Sequence, residues 1–172
     1  GMTLKLLALP DGKLASGSEN GNVTLWDAKS GTKLQTRVGH TKRYTAMVIL
    51  PGNKFASASR DCTICVWGIN SAEKLLTLVG HSGLVSGLCA VPNGTLASSS
   101  WDDTVKVWDI NNGECLRTFN LPAFTYNLIS LPDCTLVCDL LTTASGWVRI
   151  GDAGKEPLTT DTMVGAPGSL IQ

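Results

Sequence analysis

The side chains of this 172-residue sequence best suited to chemistry are His40 and His81, the Cys62-x-x-Cys65 pair, and the adjacent carboxylates Asp102 and Asp103. A histidine can act as general base or metal ligand near neutral pH, a C-x-x-C as half a zinc site or a dithiol, and paired carboxylates as acid and base. None of these finds its complement in the sequence. No second C-x-x-C at zinc-finger spacing follows Cys65, and Cys89, Cys115, Cys134 and Cys138 are scattered. No G-x-S-x-G, H-E-x-x-H or Walker-type motif occurs, and no dinucleotide-binding glycine pattern sits between a strand and a helix. Asp103 is expected to be solvated. The two histidines stand 41 residues apart at matching places, so they belong to a repeat and not to one shared centre. No catalytic residue, metal or cofactor is expected.

The repeat sets the architecture. LASGSENGNVTLWD begins at Leu14, FASASRDCTICVWG at Phe55 and LASSSWDDTVKVWD at Leu96, each step being 41 residues. The same offset relates Trp26, Trp67 and Trp108, and it carries Gly39-His40 onto Gly80-His81. It also relates the turns LPDG, LPGN and VPNG that start at Leu9, Leu50 and Val91. Between the turns lie short, near-alternating runs of Val, Ile, Leu and Thr, which favour a half-buried pleated surface; helical periodicity is absent. The first repeat predicts strands over 4–9, 14–18, 23–27 and 34–38, with Pro-Asp-Gly and Asn-Gly supplying turns. Four antiparallel strands make one blade. A lone blade cannot bury both of its faces, so neighbours must stack radially.

These residues resemble the WD40-repeat family, and the resemblance covers almost the whole chain. It implies an all-β fold of four four-stranded antiparallel β-propeller blades, approximately 3–40, 41–81, 82–120 and 121–164, with 165–172 starting a further inner strand. It also implies a buried tetrad of His, Ser or Thr, Asp and Trp in each blade. Carried over, that is His40, Ser57 or Ser59, Asp61 and Trp67 in the second blade, and His81, Ser98 or Ser100, Asp102 and Trp108 in the third. The chemical logic is reciprocal, because a buried Trp N–H needs an acceptor and a buried Asp needs donors. The first blade has Asn20 at the Asp position and no preceding Gly-His, so its tetrad is expected to be weaker. The fourth opens on LPDC at Leu131, has Leu121 in place of His and Gly151 in place of Trp, and is expected to have lost its tetrad, with Trp147 packing on a blade face.

Three arrangements of such an arc stay open: a fragment of a longer chain, a closed four-bladed ring, and a half-propeller whose homodimer closes an eight-bladed ring. The apolar faces at the ends of an open arc favour the homodimer or the longer propeller over the small ring. Gly1 ahead of Met2 reads as a remnant of tag removal.

Nothing in the composition pulls towards a polyanion as partner. Fourteen basic residues balance 14 acidic ones and only 16% of residues are charged, so nucleic acid is not expected. No secretory h-region or membrane span is visible, and the six cysteines read as reduced thiols of an intracellular protein. The resemblance places the loops entering the innermost strands (Arg43, Thr45, Leu84, Ser86, Phe124, Tyr126) and those before the tetrad Asp (Glu19, Arg60, Trp101) on one face around the channel. Loops on a rigid scaffold commonly carry binding, and Trp, Tyr and Arg are favoured at interface hot spots. Arg43, Arg60, Trp101, Phe124 and Tyr126 are therefore the candidate partner-binding residues, the arginines able to hold a carboxylate or phosphate. Trp101, between Ser100 and Asp102, is hard to bury within a blade. The competing structural reading has Trp101, Phe124 and Tyr126 plugging the channel or a blade interface. The expected function is a non-catalytic protein-protein interaction scaffold; the alternatives are an enzyme with a pocket at the channel or dimer seam, and a piece of a larger WD-repeat assembly subunit.

Overall fold

Alternating β-branched runs punctuated by Pro, Gly and Asn produce strands throughout. The computed structural model describes residues 3–70, 73–140, 146–152 and 164–165. Its strands are β1 (Thr3–Leu9), β2 (Lys13–Ser18), β3 (Asn22–Asp27) and β4 (Lys33–Val38); β5 (Tyr44–Leu50), β6 (Lys54–Ser59), β7 (Ile64–Gly68) and β8 (Lys74–Leu78); β9 (Val85–Ala90), β10 (Leu96–Ser100), β11 (Thr104–Trp108) and β12 (Cys115–Asn120); β13 (Leu128–Ser130), β14 (Thr135–Leu140), β15 (Gly146–Asp152) and β16 (Val164–Gly165). Each group of four forms an antiparallel meander in chain order. The strands of the first blade fall within one residue of those predicted.

Register repeats with the sequence. Leu14 faces Trp26, Phe55 faces Trp67 and Leu96 faces Trp108. In the fourth sheet Leu136 faces Gly151, so the glycine does stand at the tryptophan position, and a bulge lies beside it. Trp147 faces Asp139, the register place held by Val23, Ile64 and Val105 in the other blades. The surroundings of the Trp147 side chain lie outside the described residues, as does the tail from 166. Gly165 still pairs with Trp147 in β16, one residue beyond the expected blade boundary.

The core is a series of seams between blades. Leu9, Ala15, Val23 and Leu25 of the first blade meet Tyr44, Phe55, Trp67 and Ile69 of the second. Leu50, Ala56, Ile64 and Val66 of the second meet Val85, Leu96, Trp108 and Ile110 of the third. Val91, Ala97, Val105 and Val107 meet Leu128, Leu136 and Cys138 of the fourth. One face of every sheet therefore repeats what the next blade buries. At the two ends this leaves apolar side chains open: Leu6 is 68% exposed on the first blade and Ile129 55% on the fourth. Leu6, Leu14 and Trp26 line an open groove there.

In the second and third blades an inner-strand bulge re-aims one side chain toward the next blade. Thr45 Oγ1 donates to the Val85 carbonyl of β9 and Ser86 Oγ to the Thr125 carbonyl ahead of β13, stitching the second blade to the third and the third to the fourth.

Candidate functional site

Both expected tetrads assemble. In the second blade Trp67 Nε1–H donates to Ser57 Oγ at 2.9 Å, Ser57 Oγ lies 3.0 Å from His40 Nε2, and His40 Nδ1 donates to Asp61 at 3.1 Å. In the third, Trp108 Nε1 and His81 Nε2 each lie 2.8 Å from Ser98 Oγ, and His81 Nδ1 is 2.9 Å from Asp102. The open choices thus fall to Ser57 and Ser98. Ser59 and Ser100 instead accept the backbone N–H of Asp61 and Asp102, fixing the turn. Two contributors were not singled out from the sequence: Thr63 and Thr104 each donate to their Asp at 2.6 Å. Their signal is the D-x-T spacing that the two repeats share.

In the first blade Trp26 donates to Ser16 Oγ at 2.8 Å, but among the described residues Asn20 accepts only from Ser18 Oγ and the Asn22 N–H. The fourth blade has Cys138 at the serine register place and Gly151 at that of Trp. Its carboxylate has moved. Asp139 accepts from Thr125 Oγ1 (2.8 Å), from the Tyr126 and Asn127 N–H groups (2.9 Å each) and from Asn127 Nδ2 (2.7 Å).

These networks leave the titratable groups in fixed states. Burial holds His40 and His81 below the ordinary histidine value of 6.5, only partly offset by Asp61 and Asp102. Burial pushes Asp102 up, but hydrogen bonds from Thr104, His81 and Ser82 outweigh it and hold the carboxyl at about 2 against an ordinary 3.8. In both cases the unfolded chain takes up protons first. The histidine contribution to stability is full above pH 6.5 and declines as pH falls through that value; the Asp102 contribution is full above 3.8 and is lost as pH falls towards about 2. The urea midpoint is therefore expected to drop in two stages on acidification, and a flat profile across the histidine range would contradict the burial of neutral imidazoles.

None of this chemistry is free for a substrate. Both histidines are buried with their two ring nitrogens engaged. Among the described residues no group of three or more His, Cys, Asp or Glu is placed to hold a metal ion. Burial raises the thiols of Cys65 to about 11 and Cys89 to about 12, which makes them poor nucleophiles.

The loop face is different. Arg43, Arg60, Trp101 and Tyr126, with Lys5, Tyr44, Thr45, Leu84, Ser86 and Asn127, line a cavity of about 350 Å³ fed by all four blades. Two register positions recur in its walls, one in the loop entering the inner strand and one in the loop before the tetrad Asp. The Arg60 N–H donates to the Arg43 carbonyl at 3.1 Å, and one repeat later the Trp101 N–H donates to the Leu84 carbonyl at 3.0 Å. Phe124 is not a wall of the cavity but contacts two residues that are: its ring lies 5.2 Å from Trp101 and 6.0 Å from Tyr126, which are themselves 5.6 Å apart edge to face. Trp101 is 40% and Tyr126 43% exposed, so neither is buried in a seam. Glu19, at the corresponding place of the first blade, is exposed. Lys5 was not singled out from the sequence.

The family model described as "WD domain, G-beta repeat" (WD40) matches residues 5–27, 31–68 and 72–109, leaving the degenerate fourth blade outside. No curated protein matches the chain. Among solved structures the chain is similar to the WD40 β-propeller domain of Doa1, with 21% identity and a TM-score of 0.72 over 79% of this chain and 47% of that one. It is also similar to the computationally designed protein Ika8, with 27% identity and a TM-score of 0.74 over 94% of this chain and 49% of the other. The chain spans about half the length of each.

Proposed function

We propose, from the premise that this chain belongs to the WD40-repeat family, that it is a non-catalytic scaffold binding a peptide or protein surface on the loop face around its channel. WD40 propellers commonly act in protein-protein interaction. The observation that carries the reading is the aromatic cluster of exposed Trp101 and Tyr126 with half-buried Phe124, beside Arg43 and Arg60 at the mouth of a cavity. Large aromatic rings and guanidinium groups supply contact area together with polar handles, and such groups dominate interface energetics when a partner excludes water from them. The arginines are suited to a carboxylate or phosphate on that partner.

The arc itself supports a second copy of the chain as the element that completes the ring. The open face with Leu6, Leu14 and Trp26 and the open face with Ile129 and Leu131 are the two halves of the seam that each internal pair of blades already forms. Two copies would supply about the length of the solved propellers.

One set of samples tests both. Combined Ala substitution of Trp101, Phe124 and Arg60 is expected to reduce capture of partners from a cell extract at least roughly tenfold, with the far-ultraviolet spectrum unchanged. Undiminished capture would defeat the loop-face reading. Light scattering is expected to give twice the chain mass, and a stable single-chain mass would defeat the second copy.

A further inference from the structure

The cations of the cavity have no anionic partner in its lining. Among the described residues, Lys5, Arg43 and Arg60 make no side-chain hydrogen bond or ion pair, and no acidic residue joins them in the lining. The carboxylates of the second, third and fourth blades that flank the loop face are already occupied. Asp61 accepts from His40, Thr63 and the Thr41 N–H, Asp102 from His81, Thr104 and the Ser82 N–H, and Asp139 from the Thr125 to Asn127 segment. Like charges held together without a counter-charge repel, and an anion placed among them relieves that cost.

The arrangement also has a direction. The same two register positions carry Arg43 and Arg60 in the second blade and Leu84 and Trp101 in the third, and the aromatic surface then continues through Phe124 and Tyr126 in the fourth. Polarity thus changes from cationic to apolar in one step around the arc, while Glu19 at the matching place of the first blade presents a negative charge.

We propose that the occupant of the loop face is an acidic peptide, with an Asp or Glu carboxylate seated among Lys5, Arg43 and Arg60 and a neighbouring aromatic or large apolar side chain laid on Trp101, Phe124 and Tyr126. The proposal deepens the loop-face reading and rests on it. A guanidinium fork matches a carboxylate in two parallel hydrogen bonds, which fixes where the acid sits; the rings then select the side chain next to it.

The test is selection of a random-sequence peptide display library on the full chain, repeated on the Arg43→Ala/Arg60→Ala and Trp101→Ala variants. Enriched sequences are expected to place Asp or Glu close to Phe, Tyr or Trp. A synthetic enriched peptide is expected to lose roughly tenfold or more in affinity on Glu→Gln, and the double arginine variant to lose the same. Binding is also expected to weaken with added salt, as partly exposed charges are screened. Equal affinity of the Gln peptide, a requirement for phosphoserine in place of Glu, or no enrichment at all would each overturn the proposal. If selected peptides ignore the acid but are lost on Trp101→Ala, the loop-face reading stands without this one. If they still bind the Trp101, Phe124 and Arg60 triple variant, the loop-face reading itself fails. The substituted side chains are exposed or half-buried, and retained thermal unfolding midpoints establish that the variants fold.

Discussion

Trp67→Ala is expected to destabilise the protein by about 3–5 kcal/mol, the range for deleting a fully buried aromatic ring whose site cannot collapse. Trp67 is 1% exposed, stacks on Phe55 with ring centroids 6.1 Å apart, and fills the seam against Leu9, Val23 and Leu25 of the first blade. Its N–H also satisfies Ser57, which in turn holds His40. The loss therefore combines a cavity with an interrupted buried network. Trp26→Ala provides the internal comparison, because Trp26 donates the same bond to Ser16 but lies on the open face of the first blade. Its substitution is expected to cost only about 1–2 kcal/mol, as half-buried area contributes less. Urea denaturation of the two variants measures both, and equal losses would show that the hydrogen bond and not seam burial dominates.

Gly39→Ala is expected to cost about 3 kcal/mol, at the upper end for overpacking. A Cβ there would stand 2.3 Å from one ring carbon of Trp67 and 2.4 Å from another, with the Tyr44 hydroxyl 3.3 Å away. The indole cannot retreat, since Phe55 and the first blade close off its other sides. The equivalent glycine one repeat later is less constrained: at Gly80 the nearest atom, on Trp108, is 3.1 Å away. Gly80→Ala is expected to cost under about 1 kcal/mol, because a shift of a few tenths of an ångström relieves it. Thermal unfolding of the two single variants checks the contrast, and a Gly80→Ala loss as large as that of Gly39→Ala would contradict it.

Much of this arrangement was legible before any coordinates, for a specific reason. A repeat prints each structural decision three times, so Trp26, Trp67 and Trp108, the glycine-histidine pairs and the turn prolines locate every strand of the regular blades. What stayed hidden is what the repeat does not print. Ser57 and Ser59 sit on one face of the same strand, and only the reach of the Trp67 indole selects between them. Trp101, Arg60, Arg43 and Tyr126 were recognisable as loop-face positions through the family resemblance that the repeat carries. Lys5 was not, because the first blade lacks the glycine-histidine pair that marks the entry to the inner strand in the second and third. Asp139 escaped because it stands at the register place of Gly17 and Ser99, inside the strand, and not at the tetrad Asp position where a carboxylate is looked for. There a carboxylate that caps the Thr125 to Asn127 backbone replaces a tetrad as the device that shapes the loop.

The loop-face cavity takes side chains from the first, second, third and fourth blades together. The packed seams, by contrast, link only consecutive blades. A ligand resting on both Lys5 and Tyr126 therefore acts as a clasp between elements that share no packed seam of their own. Occupancy and the curvature of the arc become linked quantities: whatever tightens the bend raises affinity, and by reciprocity the bound ligand stiffens the bend.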